Sequence, residues 1–378
     1  MNPTYVPIIK AKAGEFMALN KLKDKYSERI FPFFEIPKIT DKTKELASLR
    51  GSTQLTKDYL DLIANGISGS CHSSVMFFDL FEWKPDAYVE TGEHTYNYLY
   101  RNLSAKGLSV YPVVGFDRWP DIDYQNAIKS LSVSEGTKYC LRIDSVSLDD
   151  AYDVDYFVTT ISEIMDDLGL SGQELIVLFD FGDVTRKSIV SLQADMQHLL
   201  NKVIKSFGCG AIIIAGCSYP ILINDAVKTE DSTDFVERRE MIAWKILAEE
   251  HDVNLIFADY GIRNPSGAND IITKHANGKI RHTIENKYFV ARGHSKQKGN
   301  KGEQIYDLAR VIVNSPHYLG ESFSWGDAKI LACSRKEFKG RAQDWISYDT
   351  NHHISYIIEE VLEFQRQKAA RKSANKIQ

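Results

Sequence analysis

The chain has 378 residues, of which 43% are hydrophobic, 11% aromatic and 26% charged. That balance excludes a disordered, collagen-like or disulfide-dense chain and allows a sizeable core. Its 46 Lys and Arg against 51 Asp and Glu leave a net charge of −5, so no global field draws it onto nucleic acid or an anionic membrane, and any polyanion site must be local. Five scattered cysteines (Cys71, Cys140, Cys209, Cys217, Cys333) form no CxxC pair and read as reduced thiols. With no leader-like opening and no run near the ~18 apolar residues that span a bilayer, the expectation is a cytoplasmic chain without a membrane partner.

Eight short apolar runs rich in Val, Ile, Phe and Tyr follow one another, each ending in a charged or glycine-containing turn. In chain order they are TYVPIIKAK from Thr4, IFPFFEIP from Ile30, SVMFFDL from Ser74, SVYPVVGFD from Ser109, KYCLRID from Lys138, ELIVLFDFG from Glu174, AIIIAGCS from Ala211 and NLIFADYG from Asn254. Segments of helical period lie between them, among them 14–25, 121–131, 153–168, 192–207 and 235–250. Continuous apolar strands alternating with amphipathic helices predict an α/β fold, a parallel sheet covered on its outer face. Eight such units predict a (β/α)8 TIM-like barrel over residues 1–315. An open doubly wound sheet has the same alternation but usually carries a GxGxxG or GxxxxGK[ST] turn, and none is present.

After the eighth run the chain reads as a long loop, residues 261–302, the length of a functional lid or a disordered excursion. Residues 316–364 read as an appendage that packs on the barrel, because Phe323, Trp325, Trp345 and Tyr348 carry too much aromatic surface to leave in water. Residues 365–378 read as a solubilising basic tail with Arg366, Lys368, Arg371, Lys372 and Lys376.

Barrels of this class place their working residues at the carboxyl ends of the strands. Alternation along each strand predicts that Glu35, Asp79, Asp144, Asp180 and Asp259 converge on one mouth, with Asp117, Arg118, Arg142, Tyr260, Lys10 and Lys12 beside them. Carboxylates so placed must bind a cation, pair with bases or raise one another's pKa. The catalytic candidates are therefore Glu35, Asp79, Asp144, Asp180 and Lys12. Glu35, Asp79 and Asp180 are candidate ligands for Mg or Mn, since no Cys/His cluster suits zinc. For any one Asp, a helix cap is the competing reading. Substrate contacts are expected from Arg142, Asp117, Arg118, Asp259 and Tyr260, and from Lys287, Tyr288 and Arg292 in NKYFVARG, which interleaves cations with apolar residues and so suggests an ordered strand within the loop. The KQKGNKG stretch from Lys296 suits either a phosphate or plain solvent. The adjacent His352 and His353 are candidates for a proton donor or phosphate ligand.

The opening YVPIIKAKAGEFMAL, then FPFFEIP, and at the far end WGDAKILACS, GRAQDWI and NHHI, resemble the phage and prophage beta protein family. The resemblance points to Lys10, Lys12, Gly14, Glu15, Glu35, Pro37, Trp325, Gly326, Asp327, Trp345, His352 and His353, and implies a phage or anti-phage accessory protein without supplying a mechanism. Three functions stay open. One is a metal-assisted phosphoric-ester hydrolase acting on nucleic acid or a nucleotide. A second is a non-catalytic barrel that senses nucleic acid or a protein partner. The third is a glycosidase using two carboxylates such as Glu35 and Asp180.

Overall fold

The computed structural model describes residues 2–267, 276–299 and 302–375. All eight apolar runs contribute a strand to one closed parallel barrel. Its strands are β1 (Tyr5–Lys10), β2 (Phe33–Glu35), β3 (Met76–Asp79), β4 (Val110–Gly115), β5 (Tyr139–Ile143), β6 (Leu175–Asp183) and β7 (Ala211–Cys217). The next strand, β8 (Ser232–Glu237), leaves the barrel, and β9 (Leu255–Asp259) closes it against β1. The strands are apolar except towards their carboxyl ends because both of their faces are buried. Val6, Ile8, Phe33, Phe77, Val113, Leu178, Ile213 and Ala258 fill the interior. Tyr5, Phe34, Phe78, Val114, Phe179, Ile214 and Phe257 face the surrounding helices.

Helices cover the barrel where the period predicts them, and their ends carry the expected caps. Asp121, Asp153 and Ser188 accept hydrogen bonds from the backbone of Tyr124, Tyr156 and Ser191. Gly169 and Gly208 end their helices at φ 64° and 58°, a conformation that glycine adopts without strain. The helical reading of 235–250 is corrected at its start. Phe235 and Val236 belong to β8, paired with Phe289 and Tyr288, and the helix begins at Arg239.

The segment 261–302, read as a loop, holds a hairpin of β10 (Asn277–Ile284) and β11 (Lys287–Ser295). It turns at Glu285 and Asn286, the latter at φ 55°, and pairs with β8 in a three-stranded antiparallel sheet of order β10-β11-β8. Asn300 and Lys301 of KQKGNKG lie outside the described residues. Helices Gln304–Val313, Trp325–Ser334 and Ala342–Asn375 complete this annex. Its core joins Ile280, Phe289, Leu308 and Ile330 to Trp345 and Tyr348. The tail also departs from its reading. Residues 365–375 continue the last helix, where Arg371 pairs with Glu249 at 2.8 Å, and Lys372 with Asp252. Lys376 lies outside the described residues. Among the described residues, no helix is long and apolar enough to cross a membrane.

The annex is fastened to the barrel by His353. Its Nε2 lies 3.1 and 3.0 Å from the two oxygens of Asp259, and its Nδ1 lies 2.8 Å from the Thr283 hydroxyl on β10. Tyr5 also donates to Asp259. His353→Ala would leave a fully buried carboxylate with only the Tyr5 hydroxyl and the Gly261 N–H, 2.9 Å away, as donors. Urea denaturation at neutral pH should show a loss of about 3 kcal/mol or more. A loss below about 1 kcal/mol would mean that the contact is incidental.

Candidate functional site

Adjacent strands set Lys10 opposite Glu35 and Glu35 opposite Asp79, with Arg142 on β5 opposite Leu178, one interior-facing step below Asp180 on β6. All point into the barrel, above the apolar layers. The guanidinium of Arg142, 1% exposed, donates to Glu35 at 2.6 Å, to Asp79 at 2.9 Å, and to Asp180 at 3.0 and 2.6 Å. It also donates to the Tyr260 oxygen at 3.0 Å, while the Tyr260 hydroxyl donates to Asp180 at 2.6 Å. Phe81 covers the guanidinium, with its ring centre 4.3 Å away.

Two further cations complete the ring. Lys10 bridges Glu35 and Glu82 at 2.7 Å each, and Arg118 grips Asp79 with two bonds of 2.6 and 3.1 Å. Arg118 can fold back only because residue 115 is glycine, since a Cβ there would lie 2.2 to 2.5 Å from the guanidinium. Three buried acids, with Glu82 beside them, thus meet three bases. Burial alone would raise the pKa of Glu35, but Arg142 and then Lys10 outweigh it and hold the carboxyl below its usual range. Asp79 is held low against its own burial by Arg118 and Arg142. The cavity bordered by Lys10, Glu35 and Tyr260 measures only about 30 Å³, room for one or two waters.

The remaining expected site residues lie elsewhere. Asp259 faces outward with Phe257, into the helix layer, because Ile256, Ala258 and Tyr260 are the inward members of that run. Asp144 accepts from the backbone and hydroxyl of Ser147 at 3.2 and 2.6 Å, the local cap that competes for any single Asp. Asp117 is exposed beside Arg118, at 3.3 Å, and Lys12 is half-buried where the first helix begins. NKYFVARG is an ordered strand, yet two of its three residues turn inward. Tyr288 is fully buried and donates to the Gly261 carbonyl at 2.7 Å. Arg292 is spent on the Val227 and Lys228 carbonyls, at 2.8 and 2.7 Å. Lys287 alone is exposed. His352 and His353, expected to touch substrate, are both 0% exposed and work as fasteners.

A larger opening adjoins the closed mouth. A cleft of about 460 Å³ runs between the loops after β7 and β9, strand β10 and the start of the last helix. Among the described residues, its lining includes Arg263, Lys279, Arg281, Lys296, Lys339 and Arg341, with Trp345, and no carboxylate. Arg263 is matched from behind by Glu15 at 3.0 Å, and Arg281 by Asp349 at 2.9 Å. Burial pushes the Lys279 ammonium down to about 8, helped by Arg281 and Arg263. Of this lining, the sequence points only to Lys296, in KQKGNKG; Lys279 and Arg281 read as loop, although they flank a buried Ile280 with the period of a strand.

A protein-family model described as Beta protein matches residues 5–359. A search of curated proteins found no match.

Arg142→Met would leave three buried carboxylates short of a counter-charge and should lower stability at pH 7 by about 3–5 kcal/mol. Because the folded Glu35 and Asp79 titrate below their unfolded values of about 4.3 and 3.9, their contribution is complete above those values. It is lost as pH falls through the lower folded values. Melting temperatures from pH 7 to 2 should therefore show the parent declining below roughly pH 4 and the gap to the variant narrowing there. A gap that stays constant to pH 2 would contradict the ring.

Proposed function

The chain belongs to the Beta protein family, and we propose that it is a non-catalytic barrel that binds a phosphate-bearing ligand, a nucleotide or the end of a nucleic acid strand, in the cleft beside its closed mouth. The carrying observation is the lining, among the described residues, of six cations and no carboxylate on a protein whose net charge is −5. A volume of about 460 Å³ falls in the range of small-molecule sites. Arginines offer forks to phosphate oxygens, and lysines offer point charges. The amino end of the helix Ala342–Asn375 borders the same space, and its dipole favours an anion there, while Trp345 offers an aromatic edge to a base. The occurrence of the family in phages and mobile elements, implied by the resemblance, fits a sensor of such ligands.

Hydrolysis at the acid ring draws less support. The ring's carboxylates are held by Arg142, Arg118, Lys10 and Tyr260, and the space beside them takes no substrate.

Anisotropy titrations with a fluorescent nucleoside triphosphate and a short single-stranded oligonucleotide test the reading. Saturable binding should weaken with salt and fall about tenfold or more in a Lys279→Glu, Lys296→Glu double variant of unchanged melting temperature. Affinity should also rise from pH 9 to 7 as Lys279 takes up its proton. Failure of both probes to bind, or equal binding by the variant, would favour a protein partner instead.

A further inference from the structure

Behind the cleft, three elements of the annex meet at His282 on β10, Asp327 in the helix Trp325–Ser334 and His352 in the last helix, all 0% exposed. Both imidazoles spend Nε2 on a backbone carbonyl. His352 reaches Thr283 O at 2.8 Å, and His282 reaches His317 O at 3.3 Å. A carbonyl only accepts, so Nε2 carries a proton in each ring and Nδ1 faces inward; in His352 Nδ1 carries a second proton, donated to Asp327, that a metal ion would displace. His352 Nδ1 lies 2.8 Å from Asp327 Oδ2, whereas His282 Nδ1 and Asp327 Oδ1 are buried without any hydrogen-bond partner. The two rings stack with centres 3.8 Å apart. A buried lone pair and a buried carboxylate oxygen are costly to leave unsatisfied, and one cation placed among them would satisfy both.

We propose that His282 Nδ1, His352 Nδ1 and a carboxylate oxygen of Asp327 bind a zinc-class transition-metal ion. One ligand atom from each residue already lies within 4.8 Å of the others. Drawing them into bonds of about 2.0–2.2 Å takes side-chain rotation that opens the imidazole stack. Imidazole nitrogen with one carboxylate suits zinc and its neighbours rather than Mg or Mn. The carbonyl acceptors behind both rings are the outer partners that fix the orientation of metal-bound histidines. Ser324, which donates to Asp327 Oδ2 at 2.5 Å, holds the carboxylate in the same way. The three protein ligands leave a fourth position that a water would fill; with Phe323 and Tyr356 packed against His352, the ion would serve to hold structure. It would pin the hairpin to both helices and so set the wall of the cleft that carries Lys279 and Arg281.

The test is to unfold the full-length chain in chelator, refold it with and without zinc or cobalt, and measure bound metal by mass spectrometry. About one equivalent per chain is expected, with a higher melting temperature in zinc and the visible absorption of tetrahedral cobalt. His282→Gln and Asp327→Asn should each weaken binding by at least about tenfold. Much less than one equivalent in the parent, a spectrum of hydrated cobalt, or full binding that survives both substitutions overturns the proposal. If a variant does not fold, the parent's stoichiometry and cobalt spectrum decide alone.

Discussion

A guanidinium sealed inside a barrel is the constraint on which the rest of this structure turns. Arg142 leaves water almost completely, at a cost of several kcal/mol that only close counter-charges offset. Glu35, Asp79 and Asp180 supply them from three different strands. Their excess negative charge then requires Lys10 and Arg118, and Arg118 in turn requires Gly115. Unbalanced, two such carboxylates ~4 Å apart would repel by about 4 kcal/mol at an effective dielectric near 20. The ring closes the end of the barrel where substrates usually enter, and the open space lies to one side, against the annex.

The annex supplies much of the wall of this lateral cleft. The cleft has one wall from barrel loops, through Tyr219 and Arg263, and another from β10 and the last helix, through Lys279, Arg281 and Trp345. Its shape therefore depends on how firmly the annex is seated. His353 on Asp259, Arg281 on both Asp349 and the Ile262 carbonyl at 3.1 Å, and Arg238 on Glu360 are among the polar fastenings. Gly326 lets two helices touch, since a Cβ there would come within 2.2 Å of the Tyr348 carbonyl.

The barrel was legible because every one of its strands is buried on both faces, which marks eight apolar runs without reference to anything distant. The acid ring was legible for the same reason: alternation alone carries Val75, Phe77 and Asp79, or Ile176, Leu178 and Asp180, to one face. Asp259 shows where that argument stops. In LIFADY either parity gives an apolar face, and only neighbouring strands and helices decide that Ala258 and Tyr260 look inward. Whether acids at a mouth meet metal or bases is likewise set by long-range partners, Arg142 lying 107 residues from Glu35. Of the hairpin, NKYFVARG reads as a strand, whereas NGKIRHTI is polar on one side and holds a glycine, so it reads as loop until β11 provides an edge. The cleft is assembled from residues 219–346, and no local pattern announces it.

Hydrogen exchange by mass spectrometry, with and without a nucleoside triphosphate, tests most directly whether the ring is structure and the cleft is the site. The account predicts added protection in 262–267, 276–281 and 340–346, with the ends of β2, β3 and β6 unchanged. Protection centred on Glu35, Asp79 and Asp180, with the cleft segments unaffected, would contradict it.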